Sequence, residues 1–125
     1  MEKYFANYEQ SLALKELGFD MPCFAYVYTG DTGNNVDRYE ETEPSRAINF
    51  NHDSLCISQP LKSQVFEWFR EKHNLSGIPD DESYSIWKLF HGGRDCIMEV
   101  YPLNNFEEAE SDCIDKLIEI IKEIK

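Results

Sequence analysis

Asp31-Thr32-Gly33 is the triplet that carries the paired carboxylates of aspartic proteases. In those enzymes an apolar strand runs directly into the Asp. Here Thr29-Gly30 precede it and helical segments surround it, so a hydrophilic turn accounts for the triplet. The same stretch is rich in oxygen ligands suited to calcium, but it lacks the Gly at loop position six and the closing Glu of an EF-hand. Ser85-Ile86-Trp87-Lys88 has the Ser-x-x-Lys spacing, which works where a helix start brings Lys beside Ser. On a strand, residues three apart point to opposite faces. His52, His73 and His91 lie far apart and no Cys-x-x-Cys occurs, so the sequence implies no metal site and no cofactor. The nearest Cys–His pair, Cys56 and His52, sits in a polar loop without an activating neighbour. His91-Gly92-Gly93-Arg94 offers backbone amides to an anion, yet a hairpin turn already explains both glycines. No catalytic residue emerges.

The elements behind these residues follow from composition. The chain has 125 residues, 42% hydrophobic and 14% aromatic, enough for a core and for one domain over 1–125. Lys plus Arg number 12 against 24 for Asp plus Glu, a formal charge of −12. Such a surface repels nucleic-acid backbones and anionic membranes. No run approaches the length of a membrane span. Met1 to Asp20 lacks the apolar stretch of a secretory signal, so a cytoplasmic location is expected. Cys23, Cys96 and Cys113 stand beside apolar residues, and all four cysteines, Cys56 included, are expected to be free, buried thiols.

Three helices are predicted. The first runs from Tyr8 to Leu17, with Asn7 and Gln10 at capping-box spacing. Gly18 at C′ and the Leu14–Phe19 pair form its Schellman ending. The second covers Pro60 to His73, with Gly77 and Pro79 ending any continuation. The third covers Phe106 to Ile124. Its apolar stripe is Phe106, Ala109, Cys113, Leu117, Ile120 and Ile124, widened by Ile114, Ile118 and Ile121.

Cys23 to Thr29 reads as a strand that is central or covered on both faces. Val36 to Glu41 reads as a polar edge strand. Thr42 to Ser58 reads as a long loop with a short strand near Leu55 to Ile57. Tyr84 to His91 and Arg94 to Tyr101 form a hairpin about Gly92-Gly93. That turn would pair His91 with Arg94, Leu89 with Cys96, Trp87 with Met98 and Ser85 with Val100, and set Lys88 diagonal to Asp95 and Glu99. Trp87, Leu89, Cys96, Met98 and Val100 would then face the helices. Tyr84, Ile86, Phe90, Ile97 and Tyr101 would form an open contact surface. The expected class is α+β, an antiparallel sheet with helices packed on it.

Leu14-Lys15-Glu16-Leu17-Gly18-Phe19-Asp20 before Pro22-Cys23, then Phe66-Glu67-Trp68-Phe69-Arg70-Glu71-Lys72, then Glu107-Glu108-Ala109-Glu110 leading to Lys116-Leu117-Ile118, resembles a group of small uncharacterised bacterial proteins. These are often encoded in phage-like or mobile regions. The resemblance spans most of the chain through packing and capping residues. It implies a bacterial or phage cytoplasmic setting and an accessory role, and it carries over no catalytic residue. The leading expectation for function is a non-enzymatic protein-binding accessory protein, with another protein or a second copy as partner. The alternative is an acidic decoy that mimics nucleic acid and occupies a DNA-binding partner. A small enzyme ranks third.

Overall fold

The computed structural model describes residues 4–23, 25–28, 38–41, 48–49, 51, 56–79, 83–100 and 106–124. Among them the order is α1 (Tyr8–Glu16), β1 (Ala25–Tyr28), β2 (Arg38–Glu41), β3 (Cys56–Ser58), α2 (Lys62–His73), β4 (Leu75–Pro79), β5 (Tyr84–Phe90), β6 (Gly93–Val100) and α3 (Phe106–Ile124). The class is α+β with every strand pair antiparallel. The strands form two three-stranded sheets, β2-β1-β3 and β4-β5-β6, where the sequence suggested one. They belong to two compact units, residues 1–61 and 62–125.

In the first unit, α1 has the ends its sequence specifies. The Asn7 side chain accepts from the Gln10 N–H at 2.7 Å, and the Gln10 side chain accepts from the Asn7 N–H at 3.0 Å. This reciprocal pair satisfies two otherwise orphaned donors. At the other end Gly18 takes φ +93, and the N–H groups of Gly18 and Phe19 donate to Lys15 and Leu14. That is the Schellman pattern, and it buries Phe19 and Leu14.

The buried face of α1 is Gln10, Ser11 and Leu14, more polar than its leucines suggested. β1 is the central strand, with β2 at an edge. The short third strand lies one residue later than its sequence position suggested. Polar side chains tie its surroundings together. Lys15 Nζ donates to the Cys56 carbonyl at 2.6 Å, and the Asn51 amide donates to Phe19 O while accepting from Ser58 N. The Asp31-Thr32-Gly33 turn and His52 lie outside the described residues.

In the second unit, α2 begins at Lys62 rather than Pro60, because Leu61 is held in a bridge to Phe5. It ends at Asn74, whose φ of +56 is the left-handed stop Asn tolerates. The chain enters β4 at the next residue. This strand was hidden in the sequence because Gly77 and Pro79 read as breakers. Pro79 closes an edge strand, where a missing donor costs little. Gly77 serves packing: a Cβ there would stand 2.7 Å from a Phe66 ring carbon and 3.0 Å from Cys113 Sγ.

Ala109, Cys113, Ile114, Leu117, Ile118 and Ile121 of α3 are buried, while Ile124 is exposed. The stripe is therefore real but centred away from the Ile120–Ile124 edge.

The hairpin is present with its turn one residue earlier. Phe90 pairs with Gly93, Leu89 with Arg94, Lys88 with Asp95 and Trp87 with Cys96. Beyond a bulge, Ile86 pairs with Met98, Ser85 with Glu99 and Tyr84 with Val100. The corners are thus His91 and Gly92, and Gly92 alone supplies a positive φ, +92. One left-handed residue suffices for such a corner. Gly93 instead becomes a strand residue facing the Phe90 ring, which a Cβ would meet at 3.2 Å.

Candidate functional site

Contacts with α2 and α3 show which side chains of the hairpin face the helices. Tyr84 stacks on Phe66 of α2 with ring centroids 5.5 Å apart. Its hydroxyl donates to Glu110 of α3 at 3.3 Å. Tyr84 is 3% exposed and Ile86 0%. The face expected to be open is therefore the one that meets the helices, and Tyr84 and Ile86 are core residues. Phe90 and Ile97 are exposed, at 52% and 43%, and Tyr101 lies outside the described residues.

A turn one residue earlier moves the pairing by two residues, which keeps each face together, and the bulge at Ile97 then moves it by one, which swaps the faces of Met98, Glu99 and Val100. Met98 and Val100 pair with the helix-side residues. Trp87, Leu89 and Cys96 stay together, as their pattern indicated, but on the opposite face from the helices. Lys88 and Asp95 are direct partners rather than diagonal ones, and Glu99 pairs with Ser85.

The helix side holds the one cluster of titratable groups that these contacts build. Lys62, 8% exposed at the first turn of α2, meets Glu110 at 3.5 Å. A cation at a helix N-terminus opposes the helix dipole, and Glu110 offsets that while accepting from Tyr84. Burial, then the Glu110 charge, raises the Tyr84 hydroxyl well above the ordinary tyrosine range. Burial, then Glu110, pushes the Cys113 thiol up to about 12. Groups held protonated in this way act as packing and hydrogen-bond donors rather than as bases or nucleophiles. Ser85 and Lys88 fall on opposite faces of β5, as their spacing requires.

All four cysteines are free thiols, but Cys96 is exposed and Cys56 buried, reversing the order their neighbours suggested. Cys96 is exposed because it lies on the face away from the helices. Burial also pushes Cys23 up to about 12, against a smaller lowering by Ser58. Native protein is expected to react with a thiol reagent at one site, Cys96, and denatured protein at four.

The sign of the alkaline effect follows. A thiol raised in the folded state contributes its full stability below its unfolded value near 9. It loses that contribution as pH climbs toward about 12. Denaturant midpoints are therefore expected to hold to pH 9 and to fall between pH 9 and 12, and Cys113→Ala is expected to flatten that fall.

Away from the helices, the β4-β5-β6 sheet presents Trp87, Leu89 and Cys96 together with Arg94 and Glu99. Arg94 lies with its guanidinium 4.3 Å from the Trp87 ring centroid, a cation–π contact. Cys96, Ile97, Arg94 and Glu99 are exposed, and Trp87 and Leu89 half-buried. Trp87, Leu89, Arg94 and Cys96 pair on the turn side of the bulge and Glu99 joins their face only beyond it, so the alternating pattern groups the apolar ones but does not say which face the helices cover.

On α3, Glu108, Asp112, Asp115 and Glu119 follow one helical row. The row spans about 16 Å at 1.5 Å per residue, and Lys116 pairs with Glu119 at 3.4 Å within it. Four carboxylates over that length are sparser than duplex phosphates, at about one charge per 1.7 Å.

Among the described residues no group of His, Cys, Asp and Glu could hold a metal ion, and no helix is long and apolar enough to cross a membrane. Among the described residues the fold is α+β, and its β4-β5-β6 sheet turns a mixed apolar face away from α2 and α3. Comparison with protein-family models, curated proteins and solved structures finds no match to the chain.

Proposed function

We propose that this is a non-enzymatic, protein-binding accessory protein that works through the β4-β5-β6 face turned away from the helices. The exposed Arg94 and Cys96 paired to the half-buried Leu89 and Trp87 carry this reading. Tryptophan and arginine together are the pair most enriched where proteins make their strongest contacts. The protonated, buried thiols and the structural role of Glu110 favour binding over catalysis. The cytoplasmic, phage-like setting suggested by the resemblance belongs to the same proposal. The decoy reading is the weaker one, because the α3 row is short and carries Lys116.

A photo-reactive residue tests the surface. Placed at position 89, it is expected to yield crosslinks to protein, either to another chain or to a second copy. Placed at Glu119, on the exposed side of α3, it is expected to yield few. Equal yields at the two positions would overturn the reading.

A further inference from the structure

We draw no further inference here: the strongest candidate, the apolar patch of Trp87, Leu89 and Cys96 on the β4-β5-β6 face turned away from the helices, carries none, because Arg94 and Trp87 occupy each other and nothing in the structure shows what covers that face.

Discussion

Ile86→Asp is expected to unfold the second unit. Ile86 is fully buried, on the face of β5 that the helices cover, opposite Gly77 of β4 and Met98 of β6. Deleting an aliphatic side chain from such a site costs about 2–5 kcal/mol. A carboxyl group placed there must also be desolvated or protonated, at a further cost of roughly 1–3 kcal/mol. The combined loss is comparable to the total stability of an ordinary domain, about 5–15 kcal/mol. On the sequence pattern alone the same substitution would abolish partner binding and leave the fold intact, so the experiment separates the two assignments of the hairpin's faces. Ile97→Asp is the control. Its side chain is 43% exposed at the bulge, and a change of about 1 kcal/mol or less is expected. Urea denaturation followed by circular dichroism reads both. A folded Ile86→Asp protein with an undiminished midpoint would show that β5 does not present this face to the helices.

The second large effect is expected at Gly77, where its sign is informative. In a strand with room for a methyl group, Gly→Ala stabilises by about 0.4–1 kcal/mol by restricting the unfolded chain. Here the new Cβ would meet the Phe66 ring at 2.7 and 2.8 Å and Cys113 Sγ at 3.0 Å. The ring cannot slide freely, since it is stacked on Tyr84 with its plane within 5°. Overpacking of this kind costs about 1–3 kcal/mol. Gly77→Ala is therefore expected to destabilise, and Gly77→Val to do so more strongly. Pairing Gly77→Ala with Phe66→Leu is expected to cost less than the two single changes added together, because they share one contact. A thermal scan in which Gly77→Ala raises the midpoint would refute the close approach of α2 and α3 to β4.

What the sequence determines here is local. The Asn7–Gln10 capping box and the Gly18 ending of α1 are read correctly because each involves residues three to five apart and a single backbone conformation. The apolar repeat of α3 and the existence of the hairpin are legible for the same reason. The α+β class with antiparallel strands then follows from the need of those faces for cover.

Tertiary packing decides which face of the hairpin is covered. A strand alternates its side chains at every residue. Moving the turn from Gly92-Gly93 to His91-Gly92 shifts the pairing by two residues and keeps Trp87, Leu89 and Cys96 together, so it is the packing of α2 and α3 against Tyr84 and Ile86, and not the turn, that sets which face is inside. Both glycines satisfy turn chemistry, so local preference leaves them equivalent. The closeness of Gly93 to the Phe90 ring places Gly93 in the strand, where no preference between neighbouring residues would have put it. β4 follows the same logic. Gly77 is a breaker by propensity, but it is the residue that lets Phe66 and Cys113 approach the sheet, and that requirement exists only once the helices are in place.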